Sequence, residues 1–317
     1  MAKKLISVIA PMYNEELIVE KYVEVTLGAL QGLAPEYDYE ILLVNDGAKD
    51  HTLQKMHEMQ KRYPQYCGIV NLSRNFGLEG AVHAGLTKAK GDAVVVMDAD
   101  LQDPPSLIPQ MVRKWENGAD IVVASRVART KDSFFKRTTA NIYYKVLDSL
   151  SGKLKLEKSA ANFRLLSRKA VDQLLELPEV NTYFRVDVPY IGMKTDKVEY
   201  DRNERAAGKT NYNFVSLIRC AFDGLTSISI EPLRKIMLLV PLMFIIMIGG
   251  IVAGCLVSDE NLKLFLFIMA LLSFFFMMLF VCLSVIGEYV GQIMLETRHR
   301  PTSIVYEYLP SENSENR

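Results

Sequence analysis

Ala93-Val94-Val95-Val96-Met97-Asp98-Ala99-Asp100-Leu101-Gln102-Asp103-Pro104-Pro105 decides how this chain folds. Five apolar residues, three of them β-branched, make a run too short for a helix. A run of this kind fits a strand covered on both faces. It stops in a burst of carboxylates, and two prolines then bar the strand from continuing. In open α/β sheets a ligand site lies beyond the carboxyl ends of the strands. The acids therefore stand where a site is expected.

The residues around this stretch repeat the pattern. The sequence predicts strands at residues 5–10, 39–44, 68–72, 93–97 and 121–125. Helices are predicted at 15–31, from Asp50 to about Tyr63, at 78–89 and at 107–117, with Asn14 and Asp50 as N-caps,. Strands alternating with helices of this length form βαβ units and a mostly parallel, Rossmann-like sheet. Polar clusters follow the strands: Tyr13-Asn14-Glu15, Asn45-Asp46-Gly47, Ser73-Arg74-Asn75 and Asp98-Ala99-Asp100. Four chain segments are thus predicted to meet on one rim.

Strand alternation would place Asp98 and Asp100 on one side, with Gln102 continuing the series. Two neighbouring carboxylates repel unless a cation joins them. Hard oxygen donors suit Mg²⁺ or Mn²⁺, ions that reach phosphates through one or two carboxylates. Asp98, Asp100 and Gln102 are therefore the candidate metal ligands.

Met12-Tyr13-Asn14-Glu15-Glu16, Val44-Asn45-Asp46-Gly47, Leu72-Ser73-Arg74-Asn75-Phe76-Gly77 and the Asp98–Pro105 string occur in an order and spacing that resemble the family-two inverting glycosyltransferases of GT-A fold. More narrowly, the chain resembles the polyisoprenyl-phosphate glycosyltransferases. That group includes dolichyl-phosphate mannose synthases and GtrB-type bactoprenol glucosyltransferases. The resemblance implies transfer of one sugar from a nucleotide sugar, a UDP-sugar such as UDP-glucose, to a polyprenyl phosphate such as undecaprenyl phosphate. It implies that Pro11, Tyr13 and Glu15 line the nucleoside pocket and that Asp46 accepts a hydrogen bond from the base. Asp98 and Ala99 would lie by the ribose and metal, and Asp100 and Gln102 would hold the ion on the diphosphate. Arg202, Arg205 and Lys209 would close over that diphosphate as a loop, with Gly208 lending it mobility. A homo-oligomer is also implied, a tetramer in the nearest group.

The chain has 317 residues with 37 basic and 37 acidic side chains, so its formal charge is zero. That balance argues against a nucleic-acid binder. Half of the residues are hydrophobic, which excludes a mainly disordered chain,. Cys67, Cys220, Cys255 and Cys282 show no ligand spacing and read as reduced thiols,. The zero conceals segregation: residues 1–125 carry a net of −5, 126–209 a net of +7, and 236 onward a net of −3. The basic stretch opens directly after the fifth strand. An anionic acceptor needs such groups, Arg as a fork and Lys as a point charge. Arg126, Lys136 and Arg137 are the candidates for the acceptor phosphate, and Asp100, Arg126 and Arg137 for catalysis. A solvated basic face is the alternative.

Asn162 departs from the resemblance, because many relatives carry Asp there. A phosphate acceptor is ionised at neutral pH and hardly needs a base, so the departure is tolerable for that acceptor and serious for an alcohol. Arg164 either binds an anion or braces the fold.

Residues 236–257 and 264–287 carry no charge, and about 20 apolar residues span a bilayer,. The sequence thus predicts a transmembrane hairpin and an integral protein of the cytoplasmic membrane. Flanking Arg234, Lys235, Arg298 and Arg300 put both termini in the cytoplasm,. The expected organisation is a GT-A domain at 1–210 with a nucleotide-sugar half (1–125) and an acceptor half (126–210). Juxtamembrane amphipathic helices (211–235), the hairpin (236–287) and a cytoplasmic tail (288–317), disordered from Ser311, would follow. Three other readings stand beside the transferase, and one of them, a lipid flippase or transporter, lacks an ionisable residue inside either expected span from which to build a path,. A processive polysaccharide synthase of the same fold would need a Gln-x-x-Arg-Trp pattern, which Trp115 does not supply. A non-catalytic membrane scaffold would not need the intact Asp98, Asp100 and Gln102.

Overall fold

The computed structural model describes residues 3–33, 36–126, 160–178, 182–200 and 260–315. The chain divides into two compact units. One holds residues 1–140, 154–213 and 300–317, and the other holds 141–153 and 214–299.

In the first unit an eight-stranded sheet runs in the order β7-β5-β6-β4-β1-β2-β3-β8. Its strands are β1 (Lys4–Met12), β2 (Tyr37–Asn45), β3 (Cys67–Leu72), β4 (Ala93–Val96), β5 (Ile121–Arg126), β6 (Ala160–Ser167), β7 (Thr195–Tyr200) and β8 (Val305–Leu309). Helices α1 (Val19–Gln31), α2 (Thr52–Arg62), α3 (Gly77–Lys88) and α4 (Ile108–Glu116) link the early strands. Helices α5 (Arg168–Leu175) and α6 (Phe184–Tyr190) follow β6. The four central strands β4, β1, β2 and β3 are parallel, as the βαβ pattern predicts. The antiparallel partners are β6, between β4 and β5, and β8 beside β3.

Both faces of the sheet are covered, which explains the unbroken apolar runs. Ile6, Val8, Ala10 and Met12 of β1 join a core with Tyr22 and Val23 of α1 and with Met111 and Val112 of α4. Ile9 points the other way, into a core with Ala81 and Ala84 of α3. Each fully buried aliphatic side chain of this kind contributes about 1.5–3 kcal/mol. A Cβ on Gly85 would lie 2.4 Å from Ile9 Cγ2, so α3 sits on β1 at a distance only glycine allows.

Residues 311–315, expected to be disordered, are ordered. β8 pairs with β3, and Ser311 and Ser314 are fully buried, the latter within α8 (Glu312–Glu315). Ser311 Oγ donates to Glu40 Oε2 at 3.1 Å, and Asn313 Nδ2 donates to Tyr39 O at 2.9 Å. Glu40 is itself fully buried, and Ser7 Oγ donates to its other oxygen. A buried carboxylate needs several donors, and the end of the chain supplies one of them.

The expected placement as an integral protein of the cytoplasmic membrane, with both termini in the cytoplasm, is corrected here. Among the described residues, no helix is long and apolar enough to cross a membrane. The first expected span, 236–257, lies outside the described residues, as does 211–235. The second falls within α7 (Glu260–Thr297) of the second unit. Residues Glu260 to Lys263, expected as the turn between two spans, are helical instead, and Glu288 and Glu296 belong to the same helix.

Candidate active site at the carboxyl edge of the sheet

The central strands end in register. Met12 of β1 stands beside Asn45 of β2, which stands beside Asn71 of β3. Asn45 Nδ2 donates to Asn71 Oδ1 at 2.8 Å, tying two strand ends by their side chains. The turn after β1 is sewn to the turn after β2. Lys49 N donates to Asn14 Oδ1, and Glu15 N donates to Thr52 Oγ1, each at 2.8 Å. Asn14 has a φ of 55°, a left-handed conformation that Asn tolerates better than most residues,. Pro11 is buried in β1, while Tyr13 and Glu15 follow it half-buried on the rim.

Asp46 is buried and joins two rim turns. Its Oδ1 accepts from Phe76 N at 2.7 Å and its Oδ2 from Gly77 N at 3.0 Å. Burial pushes its pKa up to about 6, against the pull of those two N–H groups and of Arg74. Its carboxylate thus holds the loop after β3 in place.

The strand alternation expected to carry Asp98 and Asp100 stops short. β4 ends at Val96, and residues 98–101 form a turn in which Leu101 has a φ of 55°. Asp98 and Asp100 nevertheless feel each other. Burial raises the Asp98 pKa, and the charges of Asp103 and Asp100 push it the same way. Asp100 Oδ1 accepts from Gln102 N at 3.1 Å, folding the turn onto itself. Asp103 is buried and accepts a hydrogen bond from the Tyr200 hydroxyl, which anchors the turn to β7.

Asn162, Arg185 and Glu79, outside the candidate set, complete this region. Asn162 Nδ2 donates to Asp98 Oδ1 at 3.3 Å, and Asn162 Oδ1 accepts from Arg185 Nε at 2.7 Å. The first turn of α6, which carries Arg185, is held from two sides. Phe184 N donates to Glu79 Oε2 at 2.8 Å, and buried Arg164 donates from Nη1 to Phe184 O at 3.3 Å. Burial pushes the Glu79 pKa up to about 7. Arg164 therefore braces the fold at α6. Arg185 and Glu79 escaped the sequence reading because Tyr183-Phe184-Arg185 and Leu78-Glu79-Gly80 carry no spacing signal.

Of the other expected residues, Ala99 is buried in the β4 turn, and Arg126 ends β5 opposite Tyr200 of β7. Lys136, Arg137, Arg202, Arg205 and Lys209 lie outside the described residues. Among the described residues, no group of three or more His, Cys, Asp or Glu side chains could hold a metal ion. The donor chemistry of the turn still fits a hard cation. Burial first, and then the charges of Asp103 and Asp100, disfavour the ionised form of Asp98, and a positive ion would offset both,.

A mixed α/β sheet with an acidic turn beyond β4, one of its central strands, places the class among α/β domains in which a ligand site is expected at the carboxyl edge,. The profile described as "Glycosyl transferase family 2" matches residues 7–175, and the chain belongs to that family. It is a glycosyltransferase.

Its relatives match it almost end to end. The bactoprenol glucosyl transferase of Shigella phage SfV is 36% identical, covering 95% of this chain and 97% of the relative. The uncharacterized glycosyltransferase YkcC of Bacillus subtilis is 35% identical over 97% of this chain and 95% of its own. The prophage bactoprenol glucosyl transferase homolog of Escherichia coli K12 is 35% identical over 95% and 98%. Among solved structures, glucosyl-3-phosphoglycerate synthase from Mycobacterium tuberculosis, in complex with Mn²⁺, uridine diphosphate and phosphoglyceric acid, is 18% identical with a TM-score of 0.49. That match covers 70% of this chain and 76% of the other.

Proposed function

We propose that this enzyme moves a single sugar, with inversion, from a nucleotide sugar to a polyprenyl phosphate. UDP-glucose is the favoured donor and undecaprenyl phosphate the favoured acceptor. Near-full-length likeness to bactoprenol glucosyl transferases supports the pairing. The observation that carries the acceptor class is Asn162. The residue is an amide, with both ends of its side chain committed to Asp98 and Arg185. It supplies no base, and an ionised phosphate needs none.

In this reading a phosphate oxygen of the acceptor attacks the anomeric carbon, the bond from that carbon to the diphosphate oxygen breaks, and the nucleoside diphosphate leaves with the electron pair. Pro11, Tyr13, Glu15 and Asp46 flank the nucleoside, and Asp98 and Ala99 lie near the ribose. Asp98, Asp100 and Gln102 would hold Mg²⁺ or Mn²⁺, which when bound neutralises charge on the leaving diphosphate. The chain's own contribution is chiefly position and field. The basic residues Arg126, Lys136 and Arg137 are assigned to the acceptor phosphate, and Arg202, Arg205 and Lys209 to the diphosphate.

The test is a screen of nucleotide sugars with undecaprenyl phosphate and Mg²⁺ or Mn²⁺, read by product mass. A product heavier than the acceptor by one hexose is expected. Absence of transfer to any polyprenyl phosphate, with hydrolysis or transfer to an alcohol instead, would overturn the proposal.

A further inference from the structure

The strand order separates two sides of the rim. Pro11, Tyr13 and Asp46 stand at the ends of β1 and β2, and Asp98 follows β4. Asn162 lies on β6, on the far side of β4 from β1. An inverting displacement brings the acceptor in opposite the leaving diphosphate. With the nucleoside on the β1–β2 side, the acceptor belongs on the β6 side.

On that side an exposed guanidinium is held at one point. Arg185 Nε donates to Asn162 Oδ1 at 2.7 Å. Among the described residues its two terminal nitrogens have no hydrogen-bond or ion-pair partner. A guanidinium fixed at Nε presents its remaining N–H groups as a preset fork, the geometry that suits phosphate oxygens. Asn162 fixes that fork relative to Asp98, because the same amide donates to Asp98 Oδ1. The amide is suited to this double task. Asp at 162 would still accept from Arg185 but would offer nothing to Asp98 except repulsion, and it would pair with the charge of Arg185.

We propose that Arg185 binds the phosphate of the acceptor, and that Asn162 is the positioning residue that keeps its fork beside Asp98 and uncommitted. The assignment rests on a polyprenyl phosphate being the acceptor. Phe184 N on Glu79 and Phe184 O on Arg164 hold the backbone next to Arg185, so the fork is mounted on a braced turn.

The experiment is steady-state kinetics of the full-length enzyme with a short-chain polyprenyl phosphate and the nucleotide sugar found active in the screen. Arg185→Gln should raise the acceptor KM about tenfold or more, as loss of a charge-assisted contact does, while the donor KM stays within about twofold. Arg185→Lys should fall between, since Lys keeps the charge and loses the fork. Asn162→Asp should also raise the acceptor KM. Trp115 fluorescence checks folding, and if Arg185→Gln does not fold, Arg185→Lys decides by the same two constants. An unchanged acceptor KM, or a donor KM that rises as much, would overturn the assignment and leave the acceptor class standing. A wild-type enzyme that uses no polyprenyl phosphate would instead remove the acceptor class.

Discussion

Gly47→Ala tests whether the rim is built by the contact between the β2 and β3 turns. Gly47 has a φ of +63°, and a Cβ there would lie 2.4 Å from Arg74 C, 2.5 Å from Asn75 N and 2.8 Å from Arg74 Cα. All three atoms are backbone, so no side chain can swing away. Ordinary contact begins near 3.4 Å, so the 74–75 segment must retreat by about 1 Å in a close-packed surrounding. That retreat pulls Phe76 N and Gly77 N off Asp46, whose oxygens they hold at 2.7 and 3.0 Å. The left-handed backbone costs about 1–2 kcal/mol for Ala, and weakening two charge-assisted bonds costs about 2–3 kcal/mol, about 3–5 kcal/mol together. The assay is denaturant unfolding followed by Trp115, the single tryptophan, which packs against the core of the sheet unit. Asp46→Asn completes a cycle. In the Gly47→Ala background it should cost at least about 1 kcal/mol less than in the wild type, because the bonds it removes are already weakened. A loss below about 1 kcal/mol for Gly47→Ala, or strict additivity of the two changes, would refute the reasoning.

Glu79 has a folded pKa of about 7 against an ordinary 4.5. A raised carboxyl favours the folded state fully below pH 4.5, and that contribution is lost as the pH rises through 7. The loss is up to about 3 kcal/mol at about 1.4 kcal/mol per pH unit. Glu79→Gln, which can still accept from Phe184 N, should match the wild type near pH 4.5 and exceed it at pH 8 in the same unfolding assay. A stability difference independent of pH would count against it. Ser311→Ala removes a donor from buried Glu40 and should cost about 1–2 kcal/mol in the Trp115 unfolding signal,; no change would mean that Glu40 is satisfied without the end of the chain. Asp100→Ala should abolish sugar transfer with the unfolding midpoint nearly unchanged, and full wild-type activity after removal of divalent ions would exclude the metal role.

The alternation of short apolar runs with helices made the central sheet legible, because each βαβ unit is a local pattern. Ala93–Val96 and the acids after it stood where the sequence placed them. The geometry of Asp98 and Asp100 did not, since strand alternation cannot foresee a turn with Leu101 in a left-handed conformation. Asn162 was read as a missing base. Its real surroundings depend on Asp98, 64 residues away, and Arg185, 23 residues away, and no local pattern encodes either contact. Glu79 was hidden for the same reason. Val305-Tyr306-Glu307-Tyr308-Leu309 passed unread as a strand because its partner, β3, lies in the first quarter of the chain. The apolar run at 264–287 was read as a span from its length and its lack of charge; it lies within α7, and among the described residues no helix is long and apolar enough to cross a membrane.

The return of β8 to β3 also sets the order in which the molecule can be completed on the ribosome. At about 5–20 residues per second, the roughly 230 residues between Leu72 and Val305 keep the outer edge of β3 without its partner for about 10–50 s,. During that time buried Glu40 lacks the Ser311 hydroxyl, and a bare strand edge is open to other nascent chains,. Residues made more than 200 positions after β3 are those that close its outer edge and complete the setting of Glu40. A stalled or prematurely ended chain would leave that edge open, which makes such chains candidates for aggregation or proteolysis.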